Sequence, residues 1–365
     1  MEFIDLKKQQ LSIKSYIDKR ISNVLSHGKY IMGPEVYELE EMLKQFTSSK
    51  NVITVSSGTD ALLISLMALG IKHGDEVITT TFSFASTAEV IKLVGAKPVF
   101  VDVSLETANI NEKLIQAAIT KNTKAIIAVS LFGQTADFDY INKLAENYKN
   151  ITVIEDGAQS FGATYKGKKS GNLSKIGCTS FFPSKPLGCY GDGGAIFVND
   201  DNLAEICKSI RVHGQKERYV HSRIGLCGRM DTIQCAIVLA KLVNFEWEIK
   251  KRQEIASKYN DVFDASGIGR IQLMKDRTSV YAQYTLIVDN REDLMSHLSN
   301  NKIPYAIHYP KTLNMQEPYI DSADKSEFLN ADQLARKVIS IPMHPYLNEG
   351  DQNLISNTIV DFYAS

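Results

Sequence analysis

Residues 51–103 read "NVITVSSGTDALLISLMALGIKHGDEVITTTFSFASTAEVIKLVGAKPVFVDV". Short apolar runs (NVITV, DEVITT, KPVFVDV) alternate with segments long enough for helices, TDALLISLMALG and FASTAEVIKLVG. The runs are continuously apolar, not alternating, as expected of strands buried on both faces and joined by helical crossovers. The alternation continues through EKLIQAAI, KAIIAVSLFG and ITVIEDGAQS at 151–160. The spacing therefore predicts an α/β fold with a mostly parallel sheet flanked by helices. Upstream, GPEVYELEEMLKQF at 33–46 opens on Gly33 and Pro34 and sets Val36, Leu39, Leu43 and Phe46 at helical spacing, with Glu40 expected on the wet side. Downstream, a long helical stretch from Asp231 to about Asp264 leads out of this unit. Beyond it YAQYTLIV, a helix from near Arg291, IPYAIHY and EFLNADQLARKV make a smaller C-terminal α/β unit, and DSADKSE at 321–327 reads as a polar loop. The expected division is 1–240 for the large unit and 241–365 for the small one.

Of 365 residues, 41 are Lys or Arg and 42 are Asp or Glu, a formal charge of −1, so no global field draws nucleic acid or anionic lipid. The cysteines Cys178, Cys189, Cys207, Cys227 and Cys235 form no CxxC pair, and their odd count fits reduced thiols and a cytoplasmic setting. MEFIDLKKQQ lacks the basic-then-apolar pattern of an export signal, and apolar runs such as AIIAV fall far short of the ~20 residues of a membrane span. No metal site is expected: HExxH and paired CxxC are absent, and His213, His221, His308 and His344 are scattered. Neither GxGxxG nor GxxxxGK[ST] occurs, which sets nucleotide-cofactor readings back.

Four features fall just beyond the carboxyl ends of predicted strands, where α/β sheets bind ligands. SSGTDALL at 56–63 is a Ser/Gly/Thr turn opening a helix: Gly58 and Thr59 belong either to an anion cradle or, for Thr59, to a helix cap. Phe84 either covers a flat ring or packs in the core. Asp156, ending an apolar strand, could face a cationic ring nitrogen with Gln159 bonding the same ring, or the pair could cap a helix. Last, TSFFPSKPLGCYGDGG at 179–194 carries Lys185 between prolines and ahead of four glycines, with Ser180 nearby. Alone, a lysine in such a loop is usually solvated. Together, an imine-forming lysine, an acid for a pyridinium nitrogen, an aromatic and a phosphate nest meet the requirements of pyridoxal 5'-phosphate.

The chain also resembles the DegT/DnrJ/EryC1/StrS family of nucleotide-sugar aminotransferases along essentially its whole length. GPEVYELEEML, SSGTDAL, GDEVITTTFSFASTAEV, GAKPVFVDV, KAIIAVSLFGQTADFD, VIEDGAQSFGATYKGKKSG, TSFFPSKPLGCYGDGGAI, RMDTIQCA and PMHPYL carry the likeness. It implies a fold type I pyridoxal phosphate enzyme, cycling through pyridoxamine 5'-phosphate, that acts as a homodimer with shared active sites. By the same resemblance Lys185 is the Schiff-base lysine, Asp156 faces the ring nitrogen and Gln159 the ring hydroxyl. Phe84 covers the ring face, and Gly58, Thr59 and Ser180 hold the phosphate. In GLCGRMD, Cys227 stands where the family usually has an asparagine that reaches the neighbouring subunit's phosphate, which puts that contact in doubt. Within the family the likeness is to members that aminate C3 of UDP-2-acetamido-2-deoxy-3-keto-glucuronic acid with L-glutamate, on the way to bacterial surface polysaccharide. Arg229 is the candidate for the sugar carboxylate, the alternative being an internal salt bridge. His308 and Tyr309 are candidates for holding sugar or amino donor, the alternative being a core pair. Rival readings are an aminotransferase for a dTDP-3-keto-6-deoxyhexose or a 4-keto sugar, and a non-catalytic sensor or scaffold. A family dehydratase would carry histidine in place of Lys185.

Overall fold

The computed structural model describes residues 1–322 and 327–364; residues 323–326 of the expected polar loop lie outside the described residues. Seven strands build the main sheet: β1 (Asn51–Val55), β2 (Glu76–Thr80), β3 (Lys97–Val101), β4 (Thr123–Val129), β5 (Thr152–Asp156), β6 (Ile176–Ser180) and β7 (Gly194–Val198). Their order is β1-β7-β6-β5-β4-β2-β3. The pairs β2–β3, β2–β4, β4–β5 and β5–β6 are parallel, whereas β7 runs antiparallel to both β1 and β6. The sheet is thus mixed but mostly parallel, and the carboxyl ends of β1, β2, β4, β5 and β6 face one edge.

Both faces are buried, which accounts for the continuous apolar runs. Val77, Ala125, Ile127 and Ile154 point into a core shared with the helices Gly58–Ala68 and Asp201–Arg211. Their neighbours Ile78, Ile126, Ala128 and Val153 point the opposite way, against Ile115 of Glu112–Ala118 and Ile141 and Leu144 of Phe138–Glu146. Successive strand residues lie on opposite faces, so a strand covered on both sides needs apolar side chains at every position.

In the helix Pro34–Thr47, Val36, Leu39 and Leu43 are fully buried as the spacing requires. Glu40, expected on the wet side, is also buried. It lies four residues after Val36 and three before Leu43, and so shares their face. Its Oε1 accepts from the Thr54 N–H at 2.9 Å and from Arg211 Nη1 at 2.6 Å. The counter-charge comes from a residue 171 positions away, which helix periodicity cannot reveal.

The helical stretch predicted from Asp231 is two helices, Thr232–Leu242 and Phe245–Ala265. The second joins two cores. Its first turns place Phe245 and Ile249 against Val52, Phe161 and Phe197 of the large unit. Its later residues Ile255, Tyr259 and Phe263 enter a second core around β8 (Tyr284–Ile287) and β9 (Val338–Ile341), an antiparallel pair backed by Leu294, Leu298, Ile355 and Ile359. The division expected near residue 240 falls just ahead of this joining helix. IPYAIHY contributes one bridge, Ala306 to Ser340, rather than a strand.

The buried Glu40–Arg211 pair should be costly to break on one side, because the surviving charge keeps its burial and loses its partner. Glu40→Ala is expected to cost about 3–5 kcal/mol of stability, read as a fall in the urea midpoint at unchanged slope. A midpoint within experimental error of the parent would show that the pair is solvated in solution.

Candidate active site

β1 ends at Val55, and Ser57 then takes an extended conformation and caps the next helix, its Oγ accepting from the Asp60 N–H at 3.0 Å. The cap is therefore Ser57 and not Thr59, which instead lines a cleft at the sheet's carboxyl edge. Gly58 is required by close approach: a Cβ there would lie 2.7 Å from the Cβ of Ser180. Without that Cβ, the end of β6 is pressed against the start of the helix, bringing the Ser180 and Thr59 hydroxyls beside N–H groups that have no partner within the helix. The helix start favours negative charge there, so the corner suits an anion.

Asp156, the last residue of β5, is buried in the wall of the same cleft. Its Oδ1 accepts from the Ala158 N–H at 3.2 Å and its Oδ2 from the Thr87 hydroxyl at 3.0 Å. Burial raises its pKa, while Ala158, Thr87 and the Lys185 ammonium pull it back down. Lys185 faces the cleft from a loop tied at several points. Its own N–H donates to the Phe182 carbonyl at 2.9 Å, the Phe181 N–H to Gly193 at 2.7 Å, and the Cys189 N–H to Phe181 at 2.7 Å. A Cβ on Gly188 would come within 2.6 Å of the carbonyl oxygens of Phe182 and Pro183, so the glycine lets the loop fold back on itself. Desolvation lowers the Lys185 pKa, opposed by the Asp156 charge. Each group thus favours the charged form of the other.

Gln159 is buried with its amide held at both ends: Oε1 accepts from the Phe132 N–H at 2.9 Å and Nε2 donates to the Tyr309 hydroxyl at 3.1 Å. Phe84 is not a core residue. It is 56% exposed on the cleft wall, its ring 6.2 Å from that of Tyr309. His308 and Tyr309 line the same cleft. His308 Nδ1 lies 3.0 Å from Ser340 Oγ, and burial, with Lys185 nearby, lowers the pKa of the imidazole to about 4. Burial pushes the Tyr309 phenol upward.

Nine of the ten expected site residues therefore meet in one cleft of about 450 Å³: Gly58, Thr59, Phe84, Asp156, Gln159, Ser180, Lys185, His308 and Tyr309. Arg229 does not line it. Its Nη2 donates to Cys227 Sγ at 2.9 Å, and its Nε is buried with no partner among the described residues. The cleft also contains Ser83, Ser86, Asp192 and Gln283, and Thr87 stands behind Asp156. None of these was named from the sequence; the run of hydroxyls in SFASTAEV is a signal for Ser83, Ser86 and Thr87, whereas nothing in YAQYT singles out Gln283.

A corner suited to an anion, a buried carboxylate, an exposed aromatic face and an amine on the walls of one cleft suit a phosphorylated pyridine aldehyde, pyridoxal 5'-phosphate. Among the described residues no helix is long and apolar enough to cross a membrane, and no group of three or more His, Cys, Asp or Glu is placed to hold a metal.

Comparison with known proteins points the same way. The chain is 53% identical to UDP-2-acetamido-2-deoxy-3-oxo-D-glucuronate aminotransferase of Pseudomonas aeruginosa, over 97% of this chain and 98% of that one. A DegT DnrJ EryC1 StrS aminotransferase from Brucella abortus superimposes with a TM-score of 0.97 at 40% identity, covering all of both chains. NtdA from Bacillus subtilis, solved with bound cofactor PMP, gives a TM-score of 0.93 at 27% identity, over all of this chain and 85% of that one. The large sheet with its smaller C-terminal unit is accordingly the fold type I architecture implied by the family resemblance. The DegT/DnrJ/EryC1/StrS aminotransferase family model matches residues 11–360, and the chain belongs to this family of pyridoxal phosphate-dependent enzymes.

Proposed function

We propose that this protein transfers an amino group from L-glutamate to C3 of UDP-2-acetamido-2-deoxy-3-keto-D-glucuronic acid, giving the 3-amino sugar and 2-oxoglutarate for bacterial surface polysaccharide. The observation that carries this reading is the identity with the Pseudomonas aeruginosa enzyme named for that keto sugar, across nearly the whole of both chains.

When bound, the cofactor supplies an electron sink and a temporary home for the amino group. The protein's own residues do the rest. The Lys185 amine anchors the cofactor and, once released, holds or moves a proton at the substrate carbon. The Asp156 carboxylate would hold the proton on the ring nitrogen. Gln159 would bind the ring's hydroxyl, Phe84 would pack on the ring, and Gly58, Thr59 and Ser180 would hold the phosphate. His308 and Tyr309 hold sugar or donor from the small unit, His308 as a neutral imidazole. Arg229 lies outside the cleft of its own chain, so its proposed service to the sugar carboxylate is in the cleft of a second copy. The working unit is then a two-fold homodimer with shared sites. Cys227, exposed beside Arg229, leaves the phosphate contact usual at that position to another group. Five free cysteines suit a cytoplasmic setting.

Borohydride treatment of the yellow holoenzyme should leave a pyridoxyl mass on the peptide containing Lys185, and Lys185→Ala should abolish turnover. Label on another lysine would overturn the assignment.

For substrate choice, a desolvated guanidinium left without its carboxylate should cost about 2–5 kcal/mol, roughly 30-fold to several thousandfold in kcat/KM. The parent is therefore expected to prefer the 3-keto uronic acid to its C6 alcohol by that factor, with 2-oxoglutarate formation as the assay, and Arg229→Ala should bring the ratio close to one. Preference for a dTDP-3-keto-6-deoxyhexose would refute the substrate and leave the aminotransferase intact. Mixing Lys185→Ala with Arg229→Ala protein should restore activity, because one site of the mixed dimer combines both native residues; no recovery would place Arg229 within its own chain.

A further inference from the structure

Among the described residues Asp156 has two hydrogen-bond donors, one for each oxygen. The Ala158 N–H, on Oδ1, belongs to the loop that follows β5 and is set by the turn itself. The Thr87 hydroxyl, on Oδ2, comes from a different element, the helix Ser86–Leu93 after β2. Thr87 is wholly buried and Asp156 nearly so. The Thr87 hydroxyl, in the first turn of its helix, is 3.0 Å from the carboxylate and 3.5 Å from Ser83 Oγ. An ionised carboxylate only accepts, so the single Thr87 proton is committed to Oδ2.

We propose that Thr87 is a positioning residue, whose hydroxyl fixes the plane of the Asp156 carboxylate so that it can meet a cationic ring nitrogen. The inference rests on the reading of Asp156 as the partner of that nitrogen. Without the hydroxyl, Oδ2 keeps its burial and loses its donor, and the carboxylate becomes both freer to rotate and easier to protonate. Thr87 never touches cofactor or substrate; it acts through Asp156.

The test uses the holoenzyme and three variants. Thr87→Val keeps shape without the hydroxyl, Thr87→Ser keeps the hydroxyl without the methyl group, and Thr87→Ala guards against misfit of the valine. Two readouts besides turnover are followed: the pH dependence of the bound cofactor's visible absorption, and the Kd of pyridoxamine 5'-phosphate for protein stripped of cofactor. Thr87→Val and Thr87→Ala are expected to displace the spectral titration from that of the parent and to weaken pyridoxamine 5'-phosphate roughly tenfold to a hundredfold, the usual range for a hydrogen bond to a charged group. Thr87→Ser should restore both. Parent-like spectra and Kd in Thr87→Val would overturn the proposal, as would a serine variant as impaired as the valine. Asp156→Asn separates the two levels. If it impairs both readouts while Thr87→Val leaves them intact, only the role of Thr87 fails; if Asp156→Asn is itself parent-like, the reading of Asp156 fails with it.

Discussion

Everything in this site depends on a carboxylate withdrawn from water at the end of a central strand. Burying a charge without compensation is expensive, and an unsupported Asp156 would take up a proton. Ala158, Thr87 and Lys185 provide the compensation, and each comes from a different part of the chain. The loop after β5, the helix after β2 and the Pro/Gly loop after β6 must therefore all be in register before the charge is supported. The parallel order of the sheet achieves this, because it sets the carboxyl ends of neighbouring strands side by side. The preceding residue shows the same economy on the opposite face. Glu155 is fully buried and accepts from Ser170 Oγ at 2.6 Å, the Gly171 N–H at 2.9 Å and the Leu173 N–H at 3.2 Å. Desolvation still raises its pKa to about 7. Two adjacent acids, pointing opposite ways, thus organise the cleft on one side of β5 and the loop that covers the other side.

The sheet was legible because its strands are buried on both faces, a condition that writes itself into each strand as an unbroken apolar run. The gathering of the site residues at one cleft was legible for a related reason. Gly58, Ser180, Asp156 and Lys185 all lie at ends of runs, and strand ends gather at one edge. What escaped the sequence was side-chain pairing between distant elements. Glu40 carries a charge on a helix whose other inward residues are apolar, and only Arg211, far along the chain, explains it. Thr87 looks like an ordinary helical residue until β5 is set beside its helix. Gln283 sits in a strand-like segment with nothing to mark it as lining a cleft.

Arg229 illustrates a different limit. Its residue type suits a carboxylate, yet in a single chain the guanidinium leans on Cys227 and stays out of the cleft. Its Nε is buried with no partner among the described residues, so the contacts of one chain assign it no role at the cleft.

The helix Phe245–Ala265 carries a mechanical consequence. Its 21 residues make a rod of roughly 30 Å, with its ends embedded in different cores. Near its middle, Arg252 Nη1 donates to the carbonyl oxygens of Tyr281 and Met343, clamping the rod to the segments that precede and follow the small unit's two strands. A hinge needs a compliant joint, and the joint between these two bodies is a continuous hydrogen-bonded strut. Bending at this joint would have to break the ladder of the helix or release the Arg252 clamp, so the strut opposes a hinge placed there.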